Sequence, residues 1–120
     1  MTNVAILGAS NKPERMSHRA LHLLNSKGYN SIPVNPNEDT INGESCYSSL
    51  NSCPLEIDTV TVYVRPATLK SEVDSIIRCK PCRVILNPGT EDRSVVRRLE
   101  SAGIKVESAC TIVLLNTNQF

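Results

Sequence analysis

Phosphate chemistry is the first that the residue types suggest. Gly8-Ala9-Ser10-Asn11-Lys12 follows the apolar run Val4-Ala5-Ile6-Leu7, with Arg15 and Arg19 shortly after. A glycine lets the chain leave a strand sharply, small residues let backbone approach a ligand, and free N–H groups at a helix start attract anions. Lys12, Arg15 and Arg19 are opposed there by Glu14 alone. An ordinary turn with solvated charges has the same composition, so the weight comes from its place in the fold. Of the dinucleotide pattern G-x-G-x-x-G only Gly8 is present, and G-x-x-x-x-G-K-[ST] is absent. The second apolar run, Ile32-Pro33-Val34, ends in Asn35-Pro36 without the carboxylate that holds a ribose; Glu38 and Asp39 lie beyond Pro36 and would have to fold back.

The other reactive side chains offer less. His18 and His22 have the i, i+4 spacing of a metal pair, but residues 19 to 21 lack the glutamate of H-E-x-x-H. They read as exposed helix histidines, with no metal and no catalytic role. Cys79-Lys80-Pro81-Cys82 is a C-x-x-C after a helix, where the dipole opposes a thiolate, and it has no second pair to complete a zinc site. Structural thiols are the reading. Cys110, between a strand and a helix start, reads as a small buried residue. Glu91-Asp92 suits a helix N-terminus, and Ser10 lacks the G-x-S-x-G elbow of an esterase. No catalytic set emerges.

These residues must be carried by elements, and the apolar periods supply them. Short runs at Val4–Leu7, Ser31–Val34, Asp58–Val64, Arg83–Leu86 and Ile104–Val106 predict five strands. Amphipathic stretches predict helices from Ser17 as N-cap to Lys27, from Pro66 to about Arg78, from about Asp92 to Ser101, and from Thr111, a candidate cap, to about Asn116. The polar segment 37–54 reads as loop, with Asn42-Gly43 as a turn and one short helical turn. Strands alternating with helices predict an α/β fold: a Rossmann-like, doubly wound, mostly parallel five-stranded sheet with helices on both faces. Ligands of such sheets bind outside the carboxyl ends of the strands. That places Gly8-Ala9-Ser10, Asn35-Pro36, Arg65-Pro66, Asn87-Pro88-Gly89 and Cys110 around one crevice.

Composition narrows the partners. With 120 residues, 40% hydrophobic and 21% charged, one globular domain over 1–120 is expected. Thirteen Lys+Arg against 12 Asp+Glu, with no Trp and one Phe, give neither the charge nor the stacking surface of a nucleic-acid binder. No apolar stretch approaches the roughly 20 residues that span a bilayer, so no membrane partner is expected. The start at Met1-Thr2-Asn3 and the odd count of five cysteines lead to an expected cytoplasmic, reduced chain. Apolar side chains within 112–120 suggest a homodimer through that region.

Taken together, Val4-Ala5-Ile6-Leu7-Gly8-Ala9-Ser10, Lys12-Pro13-Glu14-Arg15, Ser17 and Ile32-Pro33-Val34-Asn35-Pro36 resemble small stand-alone CoA-binding proteins. These are similar to the CoA-binding domain of the succinyl-CoA synthetase α subunit. Arg65-Pro66, Asn87-Pro88-Gly89-Thr90-Glu91, Ala109-Cys110-Thr111 and Leu114-Leu115 extend the likeness along essentially the whole chain. The resemblance implies coenzyme A or an acyl-CoA as the small-molecule ligand. Gly8, Ala9, Ser10, Lys12 and Arg15 would meet its pyrophosphate and 3′-phosphate. Asn35 and Pro36 would flank the adenosine, with Val64, Arg65 and Pro66 further along the groove and Asn87, Pro88 and Gly89 near the pantetheine. The synthetase's phosphorylated histidine and nucleotide-binding subunit have no counterpart here, so binding without catalysis is the leading expectation. The alternatives are an enzyme using NAD(P) in the same crevice, or a thiol-redox or CoA-thiolation role through Cys110.

Overall fold

The computed structural model describes residues 2–120. Val4 to Leu7 alternates with no polar residue, as a strand covered on both faces requires, and it becomes the interior strand β1 (Asn3–Leu7). The chain continues through α1 (Met16–Ser26), β2 (Asn30–Val34), the two-residue strands β3 (Thr40–Ile41) and β4 (Glu44–Ser45), and a 3₁₀ turn at Leu50–Ser52. Then come β5 (Thr59–Val62), α2 (Pro66–Cys79), β6 (Arg83–Leu86), α3 (Arg93–Ser101), β7 (Lys105–Ser108) and α4 (Thr111–Asn116). The expected five strands form one all-parallel sheet in the order β2-β1-β5-β6-β7.

Alternate residues of each strand feed two apolar layers. Ala5, Leu7, Val60, Val62, Val84 and Leu86 pack with Leu69, Val73 and Ile76 of α2 and Val95 and Leu99 of α3. Val4 and Ile6 face the other way, against Leu21 and Leu24 of α1 and Leu115 of α4. Helices therefore cover both faces, and the doubly wound α/β expectation holds. No helix among the described residues is long and apolar enough to cross a membrane.

Three local expectations are corrected. Ser17 is not the N-cap of α1. Arg15 holds that position in an extended conformation, no side chain caps the helix, and Ser17 is buried in its first turn. Thr111 is not the cap of α4 but its first residue; Cys110 precedes it, and the buried Thr111 hydroxyl is drawn instead to Thr61, 2.7 Å away. The polar segment also holds a hairpin, because Asn42 and Gly43 both take positive φ and close β3 on β4. Two-residue strands are too short to leave a period in the sequence. The tail expected at a dimer contact is largely packed within the chain. Leu115 is buried and Phe120 lies edge-on to Tyr29 and beneath Arg83, which leaves Val113 exposed.

Asp92 caps α3, accepting from the Val95 N–H at 3.0 Å. The Ser94 hydroxyl, then the Val95 N–H, hold its carboxyl below the usual range, with Lys70 3.3 Å away adding to this. A depressed carboxyl contributes stability above its unfolded pKa and loses it as pH falls through the folded one. Thermal melts of Asp92→Ala should therefore lie below wild type at neutral pH and converge with it in acid. Parallel curves down to low pH would refute the ionised cap.

Candidate functional site

Strand order reverses between β1 and β5, and the crevice opens at their carboxyl ends. Gly8 takes the chain out of β1 at φ +92°, against the start of the segment that follows β5. A Cβ at this position would stand 2.9 Å from Val64 Cγ1 and 3.1 Å from the Tyr63 carbonyl carbon. Positive φ and the clash act together, so Gly8→Ala should cost about 2 kcal/mol. Chemical denaturation would read this as a lower midpoint at unchanged slope; an unaltered midpoint would show that the turn is not constrained.

Two recesses flank Gly8. A cleft of about 510 Å³ is lined by Gly8, Ala9, Ser10, Lys12, Arg15 and Asn35, together with Glu14, Met16, Ser17, Asn37, Glu38 and Tyr63. A smaller one of about 200 Å³ is bordered by Gly8, Asn35, Pro36 and Val64, with Thr68 and Glu72 from α2. Eight of the residues expected at the site are thus gathered around one glycine. Arg65 and Pro66 begin α2 outside both recesses, and Pro88 and Gly89 form an exposed turn beyond β6. Asn87 is turned inward, 3% exposed, with its amide consumed by Thr61, Val62 and Thr111. Asn35 also acts through shape: its Nδ2 donates to the Ala9 carbonyl at 2.7 Å and its Oδ1 accepts from the Asn37 N–H at 2.8 Å.

The expected supply of free N–H groups is relocated. Gly8 and Ala9 both donate to the Val34 carbonyl, at 3.0 and 3.2 Å, and Lys12 N–H donates to Ser10 Oγ. What faces the cleft is the start of α1, where Met16 and Ser17 line the wall and no side chain supplies the missing acceptor. An uncapped helix start carries unsatisfied donors and about half a positive charge. An anion seated there completes the helix, so the site fits a phosphate-bearing ligand.

Its charges are more balanced than the sequence suggests. Glu38 does fold back, accepting from Asn11 Nδ2 at 2.6 Å, and lines the cleft. Arg19 lines a different cleft, between α1 and α4. Lys12 and Arg15 therefore face Glu14 and Glu38, so attraction rests on directed contacts rather than on a net field.

Tyr63 was not legible as a site residue, although it directly follows β5. It lines the cleft, while its hydroxyl is buried beside Thr61 and Thr111, whose hydroxyls bond each other and leave it without a partner. Burial pushes the phenol up to about 12, partly opposed by those nearby hydroxyls. His18 also departs from expectation: it is buried, and only His22 is exposed. Cys79 and Cys82 sit at the opposite end of the sheet, beside Asn3 and Asp58. Burial raises the Cys79 thiol and the neighbouring Asp58 carboxylate raises Cys82, the reverse of an activated pair. Cys110 is half-buried and lines neither recess.

Comparison with known proteins gives this crevice its context. The chain is 34% identical over 74 residues to the uncharacterized protein YneT of Bacillus subtilis (strain 168), an overlap of 62% of this chain and 55% of that protein, so it matches about half of the relative's length. A crystal structure of an uncharacterized protein superposes with a TM-score of 0.93 at 35% identity, covering 100% of this chain and 98% of the other. The dinucleotide-forming acetyl-coenzyme A synthetase 1 of Ca. Korarchaeum cryptofilum shares the fold, with a TM-score of 0.80 at 24% identity. That match covers 90% of this chain but 25% of the synthetase. The model of the CoA binding domain matches residues 2–116, nearly the full length, and the chain belongs to that family.

Proposed function

We propose that the protein binds coenzyme A or an acyl-CoA at the carboxyl ends of β1, β2 and β5, as a carrier, sensor or regulatory partner that catalyses no reaction itself. The observation that carries this reading is the uncapped start of α1 beside Lys12 and Arg15 at the point where strand order reverses. The pyrophosphate and 3′-phosphate would meet the N–H groups of Met16 and Ser17 with Lys12 and Arg15, the turn Gly8-Ala9-Ser10 setting the approach. Adenosine would lie toward Asn35 and Pro36, and the arm would pass Val64, Arg65 and Pro66 toward Pro88 and Gly89. In this reading the cleft's own groups bind and orient the ligand.

Glu38 favours a second reading. A carboxylate in the cleft would accept from the hydroxyls of an unphosphorylated ribose, as in NAD sites. The two readings separate in one experiment. Calorimetric titration of the reduced protein with CoA, dephospho-CoA, NAD and ATP should show saturable CoA binding that weakens when the 3′-phosphate is removed. Binding of NAD in preference to CoA would replace this proposal with the second.

Glu38→Gln should strengthen CoA binding about threefold, because one half-buried carboxylate no longer faces the phosphates. The gain should shrink in high salt. Weaker binding in this variant would mean that Glu38 holds the ligand instead of opposing it.

A further inference from the structure

A second constellation lies further along α1. His18 and His22, one turn apart, bring their Nε2 atoms to 3.0 Å, with ring centres 4.7 Å apart and planes inclined by 60°. His18 Nδ1 lies 2.8 Å from the Ser10 carbonyl oxygen, which can only accept, so Nδ1 carries a hydrogen and Nε2 of the neutral ring presents a lone pair. That is the outer contact which fixes a metal-binding imidazole: an N–H tied to a carbonyl and the other nitrogen left to ligate. Both rings border a cleft of about 750 Å³ between α1 and α4, walled by Met16, Leu23, Ile112 and Asn116.

We infer that His18 and His22 form a two-nitrogen site for a divalent late transition metal. With metal–nitrogen bonds of roughly 2.0–2.1 Å, nitrogens 3.0 Å apart subtend an angle near 90–100° at the metal, the cis angle of a square or octahedral centre such as Ni²⁺ or Cu²⁺. Without metal, one hydrogen is shared between the two nitrogens. Binding moves the His22 hydrogen from Nε2 to Nδ1, so both Nε2 lone pairs reach the ion and no covalent change in the protein is required. No group of three or more His, Cys, Asp or Glu side chains gathers around a metal position among the described residues, so water or a small ligand completes the coordination in the open cleft. Arg19 is the charged side chain bordering this cleft, and α4 contributes the uncharged Ile112 and Asn116. Removing Arg19 therefore favours the cation.

The test uses the full-length, untagged, reduced protein and Ni²⁺ alone, at a pH above the ordinary histidine range. One equivalent of Ni²⁺ should bind, broadening the imidazole resonances of His18 and His22 first and raising the melting temperature. His22→Ala removes an exposed ring, so the fold should persist while Ni²⁺ affinity falls tenfold or more; Arg19→Ala should raise affinity a fewfold. Affinity unchanged in His22→Ala would overturn the site. So would broadening centred on Cys79 and Cys82, or no saturation by millimolar Ni²⁺. CoA titration of the same samples reports separately on the cleft at Gly8, which shares Met16 with this one and holds Ser10, the partner of His18.

Discussion

The Lys12→Ala, Arg15→Ala double variant should bind CoA about a hundredfold more weakly than wild type, each substitution contributing about tenfold. A hydrogen bond to a charged group contributes about 1.5–3 kcal/mol, and the exposure of both side chains places them at the lower end. The helix start at Met16 and Ser17 remains in the double variant, so residual binding is expected rather than none. Calorimetry at constant ionic strength checks the magnitudes. Melting temperatures should stay near wild type, because both side chains are exposed. Arg19→Ala supplies the control that only the three-dimensional arrangement provides: its guanidinium borders the α1–α4 cleft, and CoA affinity should be unaffected. Equal losses in Arg19→Ala and Arg15→Ala would mean that a diffuse field attracts the ligand, and the directed site would be abandoned.

Asn87→Ala should lower stability by about 3 kcal/mol. The amide joins three elements: Nδ2 donates to Thr61 Oγ1 at 2.8 Å and to the Val62 carbonyl at 2.9 Å, while Oδ1 accepts from the Thr111 N–H at 2.9 Å. At 3% exposure no water replaces them, and each group left unpaired costs roughly 1–3 kcal/mol. Truncation therefore loosens α4 from the sheet and lowers the melting temperature by on the order of 10 °C. Asn87→Asp is the informative companion. It keeps an acceptor for Thr111 but turns a carboxylate toward the Val62 carbonyl, so it should be at least as unstable as Asn87→Ala. A stable Asn87→Asp would show that the donor side of the amide is dispensable.

The same residue marks how far the sequence carries the site. Asn87 stands at a strand end among Gly and Pro, as ligand-facing residues do, and nothing in its neighbours tells which way its amide turns. Its partners, Thr61 and Thr111, are far along the chain in both directions. Glu38 is a similar case, drawn into the cleft by Asn11 across 27 residues of sequence. Arg15 and Arg19 have the spacing of one helical face, yet Arg15 is the extended N-cap of α1, and the two border different clefts.

By itself, then, the sequence determined the five strands of the sheet, the four helices, the turn at Gly8 and the meeting of the ends of β1, β2 and β5 in one crevice. Those follow from period, from glycine and proline, and from the handedness of parallel crossovers, all of which act over a few residues or through general rules of chain geometry. Only the tertiary structure decided which polar side chains face the cleft and which are consumed inside. It carried Glu38 in, Arg19 out, Asn87 to the interior and His18 against His22. Those outcomes depend on hydrogen bonds between distant segments and on the exact residue at which a helix begins, and neither leaves a periodic trace in the chain.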